Sequence, residues 1–490
     1  MTATLSLATV LAEAARRYPD KVAVIDGDQR ITYSQLWREA RAMAAGLVAQ
    51  GVQPGDAVAL ICPNIADFPR AYYGILAAGG VVVPVHLLLT PAEVAYVLQD
   101  SGAKLVVCHP SVTGLASQAG VTVVTPSELD SEPVVTYVSR VPEDPAVIFY
   151  TSGTTGQPKG AVLTHLNLVL NATVNVFDAN DARPSDIVLG CLPLFHTFGQ
   201  TVGMNGTFRL GATLVLLARF TGEAALDLMV RENVNVMHAV PTMYIALLEA
   251  AQGRDRLPQL RFGISGGASL PVAVLEKFSE TFSTTLYEGY GLSETSPTAT
   301  TNQPHFGTRP GTIGHPIWGV EVEIARAEVE NRIEFLPDGE LGEIVIRGHN
   351  IFAGYLNREQ ATAEAMVDGW FRSGDLGRKD SDGFISIVDR KKDLIIRGGF
   401  NVYPREVEEV LARHPDVAQV AVIGLPHESL GEEICAVIVA ASPINEAELL
   451  AWCQERLGRH KYPRRFHFTG ELPLGPSHKV LKRELRKMLT

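Results

Sequence analysis

The residues best equipped for chemistry crowd into positions 150–160, which read YTSGTTGQPKG. Thr151, Ser152, Thr154 and Thr155 supply small hydroxyls, Gly153, Gly156 and Gly160 free the backbone, and Lys159 brings one ammonium. Glycines let consecutive backbone N–H groups converge on an anion with no Cβ in the way. Such a loop suits a phosphate cradle; a solvated surface turn is the blander reading of the same composition. It is not a Walker A loop, because Lys159 is followed by Gly160 rather than Ser or Thr.

Other clusters compete for attention. Residues 263–267, GISGG, satisfy the G-x-S-x-G pattern of a hydrolase nucleophile elbow, so a serine esterase using Ser265 is the rival from another class. His196 sits among apolar residues in LPLFHTFG, where a histidine is ordinarily a satisfied core residue. A charged run, DRKKD at 389–393, separates two apolar segments, and the C-terminus is basic at positions 479, 482, 483, 486 and 487. Arg459, Lys461, Arg464 and Arg465 extend that basic character.

The elements that must position these groups follow from periodicity. Residues 36–50, 66–78 and 91–100 read as helices, and 57–61, 81–84 and 104–108 as strands. This alternation predicts a largely parallel sheet covered by helices. It repeats beyond the glycine-rich loop, with strands at 187–191, 213–217, 234–240 and 261–264 and helices at 224–232 and 271–282. An apolar run, 146–150, leads into the loop as a buried strand, and a shorter one, 161–163, leads out. Thr164 is placed to cap a helix beginning near Leu166. From about 305 the pattern changes to short strands, 312–324 and 333–346, with Gly, Pro and Asp turns, which suggests a small antiparallel sheet or barrel. Residues 393–490 form a compact α+β unit with helices at 404–413 and 446–457, and the charged run is the expected hinge.

Composition bounds the function. A chain of 490 residues, 46% hydrophobic and 20% charged, is globular and larger than one core. A net charge of −12 argues against bulk nucleic-acid or anionic-membrane binding. The five cysteines are scattered with no CxxC pair, which argues against a disulfide framework or a zinc site and points to a reducing cytoplasm. Residues 5–17 read as an amphipathic helix rather than a secretory signal, and the most apolar stretch, 75–89, is too short to span a membrane.

YTSGTTGQPKG resembles the signature of the adenylate-forming superfamily of acyl-CoA synthetases, luciferases and nonribosomal-peptide adenylation domains. Four further segments match in order: GISGG at 263–267, YEGYGLSET at 287–295, FRSGDL at 371–376 and SHKVL at 477–481. The resemblance covers nearly the whole chain. It implies an α/β fold with a large N-terminal domain, 1–391, of two flavodoxin-like sheets plus a small barrel, and a mobile C-terminal domain, 392–490.

It also implies roles. Thr151, Ser152, Gly153, Thr154, Thr155 and Lys159 would hold the ATP phosphates, and Gly266, Gly267 and Ala268 would let adenine approach the backbone. Tyr290 would stack on adenine, with Glu288, Gly289, Gly291 and Ser293 in the same ATP-binding segment. Glu294 would hold Mg²⁺, a cation that takes few carboxylates beside phosphate oxygens. Asp375 would accept from the ribose hydroxyls, and Arg390 would approach the ribose and phosphates. Lys392 would be the hinge, and Lys479 would bridge the acid carboxylate and the α-phosphate. His478 stands where the family usually has glycine.

His196 would orient the acid, in a pocket lined by Phe198, Thr201, Met204, Val240, Met243, Gly289 and Pro297. No Asp or Glu lies in 192–207 to pair an amino group, which speaks against an amino-acid substrate. Malonyl enzymes of the family carry arginine where this chain has the small, neutral Gly289. The expectation is an apolar medium- or long-chain fatty acid activated with ATP and Mg²⁺ and passed to coenzyme A. An aryl acid, or transfer to a carrier protein, is the alternative, and light-emitting oxidation a weaker one. Arg397, Gly398, Gly399 and Phe400 would flank the coenzyme A arm. A cytoplasmic enzyme, with a homodimer as an open option, completes the expectation.

Overall fold

The computed structural model describes residues 3–151, 157–475 and 480–490. Two sheets form the large N-terminal part. The first runs Gly354–Tyr355, Lys159–Thr164, Pro145–Thr151, Val81–Pro84, Ala57–Ile61, Leu105–Cys108 and Thr122–Val124. Its strands from Val81–Pro84 to Thr122–Val124 are parallel to one another, whereas Pro145–Thr151 and Lys159–Thr164 pair antiparallel. The second has nine strands, with Ile187–Gly190, Thr213–Leu216, Val236–Ala239, Phe262–Ser265 and Thr285–Gly291 parallel through its middle.

The alternating pattern places these elements well. Helix Tyr33–Ala49 begins at a capping box in which Thr32 and Gln35 satisfy each other's backbone N–H. Helix Pro91–Ser101 starts at the equivalent Thr90–Glu93 box and stops at Gly102, whose φ of 62° is left-handed. Helices Tyr33–Ala49 and Asp67–Ala77 pack so closely that a Cβ on Gly74 would lie 2.9 Å from Met43 Cβ. Thr164 caps helix His165–Val174 in a box closed by Asn167.

Two expectations need correction. The first 145 residues do not build one sheet. Val22–Asp26 pairs with Thr213–Leu216, placing an N-terminal hairpin at the edge of the second sheet. A pairing between strands so far apart in sequence leaves no local signature. In 333–346, only Gly342–Gly348 is a strand; Phe335 makes a single bridge to Ala325. The curled sheet expected here does form, from Val320–Ala325, Gly342–Gly348, Trp370–Lys379, Met366–Val367 and Ile385–Arg390.

The C-terminal unit carries its own sheet and core, around Val407, Leu411, Ile434 and Ile438. Val407 and Leu411 are four residues apart on helix Pro404–Ala412, so one face of it is apolar. Arg405 at its start ties the unit to strand Ile385–Arg390, donating to the Ile387 carbonyl at 2.8 Å while its backbone N–H bonds Asp389 at 3.0 Å. All five cysteines are buried and unbridged, and no described helix is long and apolar enough to cross a membrane.

Candidate active site

The glycine-rich loop leaves strand Pro145–Thr151 and returns as Lys159–Thr164, with Thr151 opposite Lys159. Ser152, Gly153, Thr154 and Thr155 lie outside the described residues. The base of the loop is fastened on both sides. Tyr96 donates to the Pro158 carbonyl at 3.0 Å, and Tyr150 donates to Asp100 at 2.8 Å. Lys159 Nζ stands 5.1 Å from the centre of the Tyr355 ring, within cation–π range. Tyr355 Oη donates to Glu294 Oε1 at 2.7 Å. One ring therefore joins the loop lysine to the expected Mg²⁺ carboxylate. Glu294 fits the expected Mg²⁺ role: it is a hard carboxylate, and its second oxygen takes no part in the bond from Tyr355. Among the described residues no cluster of three metal ligands exists, so phosphate oxygens would complete the coordination.

The residues expected to meet the nucleoside come together where the second sheet meets the curled sheet. Tyr290 Oη donates to Asp375 Oδ2 at 2.6 Å, and Arg390 Nε lies 3.3 Å from Asp375 Oδ1. Burial, reinforced by the Asp375 charge, pushes the Tyr290 phenol well above its ordinary range. The phenol stays protonated and its proton stays on the Asp375 side. Gly267 has a φ of +82°, and a Cβ on Gly266 would lie 3.1 Å from Phe198 Cε1. At Gly291 a Cβ would overlap the Pro297 carbonyl, so no other residue fits there. Ser293 accepts from Thr197 at 3.2 Å, linking this segment to the His196 loop. Glu288 is turned away from these groups: its carboxyl accepts from Gly311 N at 3.1 Å, and burial raises its pKa to about 7.

The residues expected to line the acid pocket are mostly buried and apolar, with Thr201 the polar exception. Val240 and Met243 share a core cluster against which Phe198 packs, and Thr201 and Met204 are fully buried on the Phe198–Asn205 helical turn. Gly289 faces Thr301 and Ile264, with a Cβ position 3.5 Å from Thr301 Oγ1. His196 Nδ1 accepts from Phe198 N at 3.3 Å. Ser265 is 1% exposed, and its hydroxyl has no hydrogen-bond partner among the described residues. Without a base beside it, it is not an activated nucleophile.

In the C-terminal unit, Gly398 and Gly399, with φ of +58° and +83°, make the turn between Ile395–Arg397 and Phe400–Val402. Phe400 is exposed and its ring lies 5.0 Å from that of His460. Arg397 is not free to meet an anion: Glu433 holds it with two bonds, of 2.6 and 3.0 Å. Lys392 is exposed beyond the last strand of the curled sheet. Lys479 and His478 lie outside the described residues. Sequence reasoning missed Tyr355, which is set against Lys159 and Glu294 by the long-range pairing of Tyr355 with Ala161.

The comparisons agree with this geometry. Residues 11–356 match the model of the AMP-binding enzyme family, and 406–479 that of the AMP-binding enzyme C-terminal domain. A feruloyl-CoA synthase from Amycolatopsis sp is 38% identical, over 96% of this chain and 97% of its own. A long-chain-fatty-acid–CoA ligase from Bacillus subtilis is 33% identical, over 98% of this chain and 94% of its own. The structure of o-succinylbenzoate coenzyme A synthetase from Bacillus subtilis, in complex with ATP and magnesium ion, superposes with a TM-score of 0.88 at 31% identity, covering 99% of this chain and 100% of that one. The family matches over both parts of the chain, on this two-part α/β frame, define an adenylate-forming enzyme. The chain belongs to the AMP-binding enzyme family and is an AMP-forming acid–CoA ligase, with ATP, Mg²⁺ and coenzyme A as its cofactor and co-substrates.

Proposed function

We propose that the acid is a monocarboxylate with an uncharged, apolar chain, a medium- or long-chain fatty acid, and that the acceptor is coenzyme A. The observation that supports this is the nature of the residues expected to line the acid pocket: Phe198, Val240, Met243 and Gly289 offer neither a cation for a second carboxylate nor an anion for an amine. An unpaired buried charge is too costly to be accepted there. An aryl acid is the second reading, favoured by the Phe198 ring beside the adenine wall at Gly266.

In this reading the carboxylate attacks the α-phosphorus of ATP, forming acyl-AMP and releasing pyrophosphate. The loop at 151–159 binds the triphosphate, and Asp375, fixed by Tyr290 and Arg390, accepts from the ribose hydroxyls. Mg²⁺ held at Glu294 would offset phosphate charge. Lys479 would neutralise the charge shared by the two reacting oxygens. The unit 392–490 then turns about Lys392, and the thiol of coenzyme A attacks the acyl carbon as AMP leaves, with Gly398, Gly399 and Phe400 beside the thiol arm.

ATP–pyrophosphate exchange over carboxylates of graded length, followed by thioester formation with coenzyme A, tests the proposal. Exchange only with charged or amino acids would overturn the substrate, and exchange without thioester would overturn the acceptor. Lys479→Ala should abolish exchange while sparing thioester formation from supplied acyl-AMP; equal loss of both would refute its role.

A further inference from the structure

Helix Pro91–Ser101 carries Tyr96 and Asp100 four residues apart, and so on one face. Both side chains reach the roots of the glycine-rich loop. Tyr96 bonds the Pro158 carbonyl on the returning side, and Asp100 Oδ2 accepts from Tyr150 on the outgoing side. The Tyr96 and Tyr150 rings meet edge to face, with centres 6.5 Å apart. The ladder between Pro145–Thr151 and Lys159–Thr164 ends at Thr151 and Lys159. Pro158 is therefore the first residue beyond it, and the Tyr96 side chain takes over its carbonyl there.

Asp100 also binds a third segment. Its Oδ1 accepts from Arg358 Nη2 at 2.7 Å, and the same nitrogen lies 3.4 Å from Tyr96 Oη. The Asp100 side chain is 11% exposed and that of Arg358 39%, so the pair is anchored at its carboxylate end. Arg358 stands three residues beyond Tyr355, whose ring lies under Lys159 and whose hydroxyl bonds Glu294. Between them, the Leu356 N–H bonds the Gly160 carbonyl at 2.8 Å. One carboxylate thus joins the outgoing root of the loop to the segment that braces the returning root. Each of its oxygens accepts from a different donor, and such charge-assisted bonds are about twice as strong as neutral ones.

Bonds that merely held the helix on the sheet would serve as well at the middle of a strand. These fall at Tyr150 and Pro158, where the loop departs and returns. We infer that Tyr96, Asp100 and Arg358 are positioning residues for the pyrophosphate end of ATP, acting through the loop at 151–159 rather than on the substrate. They fix both roots, and with them the place where the loop's donors would meet the β- and γ-phosphates. This rests on reading that loop as the triphosphate site, and deepens it. A misplacement of about 1 Å is enough to cost a reaction dearly. The effect is confined to one half-reaction. The β- and γ-phosphates leave as pyrophosphate when acyl-AMP forms, so the network bears on that step and its reversal, and not on transfer from acyl-AMP to coenzyme A.

Four variants test it in ATP–pyrophosphate exchange. Asp100→Asn puts an amide donor against Tyr150 or Arg358 and should raise the KM for both ATP and pyrophosphate about tenfold. Arg358→Met should do the same, and Arg358→Lys, which keeps a cation beside Asp100, should recover part of the loss. Tyr96→Phe loses one neutral bond and should raise both KM values about threefold; it removes a single hydroxyl and gives an independent reading should the Asp100 variant fail to fold. In all four, equilibrium affinity for AMP, the KM for the acid and thioester formation from supplied acyl-AMP should stay at wild-type values. KM values for ATP and pyrophosphate that stay at wild type in Asp100→Asn and Arg358→Met overturn the inference. So does an equal fall in thioester formation from acyl-AMP, which marks a general loss of structure. Lys159→Ala separates the two readings: if it too leaves the KM for ATP and pyrophosphate unchanged, the triphosphate role of the loop falls with the inference, and if it raises them, that role stands alone.

Discussion

The hydroxyl of Tyr355 donates a 2.7 Å hydrogen bond to Glu294 Oε1, joining the edge strand Gly354–Tyr355 of the first sheet to the turn that follows strand Thr285–Gly291. Lys159 rests over the same ring. Tyr355 thus holds two groups of opposite charge that would both face the ATP phosphates, and it reaches them through ring face and hydroxyl separately. The two contacts can be removed separately as well. Tyr355→Phe keeps the ring under Lys159 and removes the bond to Glu294. A hydrogen bond to a charged group contributes about 1.5–3 kcal/mol, so the Mg²⁺ concentration for half-maximal exchange and the KM for ATP should rise about tenfold. Tyr355→Leu should add a further loss from Lys159. Identical kinetics for Tyr355→Phe and wild type would show that Glu294 needs no such support.

Asp375 is held by a phenol on one oxygen and a guanidinium on the other. Tyr290→Phe should leave the carboxylate in place but loosen it, raising the KM for ATP about threefold to tenfold with kcat little changed. Asp375→Asn replaces an acceptor-only group by one that also donates, facing Tyr290 and Arg390, and should raise KM by a further tenfold or more. Equilibrium binding of AMP reads the same two losses without the chemical step. An AMP affinity unaffected by Asp375→Asn would remove Asp375 from the nucleoside site.

Much of the frame was legible because it is locally encoded. Strand–helix alternation placed the strands at 57–61 and 81–84 and a helix over 91–100 with little error, and Thr164 was read as a cap from its own segment. The N-terminal hairpin was not placed in its sheet, because the partner of Val24 is Leu214 and nothing near Val24 specifies it. The site divides in the same way. Motif residues such as Lys159, Glu294 and Asp375 could be named from their own segments. Tyr355 could not, since its place depends on pairing with Ala161, and the Arg397–Glu433 ion pair likewise joins two strands separated in sequence.

Two buried histidines, His165 and His238, and the half-buried His86 have pKa values lowered from 6.5 to about 4, chiefly by loss of solvent around the ring. The folded state keeps them neutral, so between pH 6.5 and 4 the unfolded chain binds more protons. Stability from this source is complete above pH 6.5 and is lost as pH falls toward 4. For His165 and His238 the loss reaches up to about 3 kcal/mol each. The melting temperature of His165→Gln, relative to wild type, should therefore improve as pH drops through this window. A constant difference from pH 7 to pH 4.5 would mean that His165 protonates without penalty.

Glu288 titrates with the opposite sign and in an overlapping window. Its pKa is raised from 4.5 to about 7, first by burial, with Glu409 adding to the rise while Arg405 and the Gly311 N–H oppose it. Above pH 4.5 the unfolded chain ionises freely, but the folded state keeps its proton until about pH 7. Stability from Glu288 is thus full at pH 4.5, declines as pH rises, and is gone above pH 7. Glu288→Gln keeps an acceptor for Gly311 N and cannot ionise. It should match wild type near pH 4.5 and melt several degrees higher at pH 8, the difference opening between those limits. Because Arg405 and Glu409 belong to the C-terminal unit, the same charge should bear on domain movement. Ionised Glu288 would hold Arg405 more tightly, so protease cleavage near Lys392 should slow from pH 6 to pH 8 in wild type but not in Glu288→Gln. A cleavage rate with the same pH dependence in both proteins would confine Glu288 to the stability of the N-terminal part.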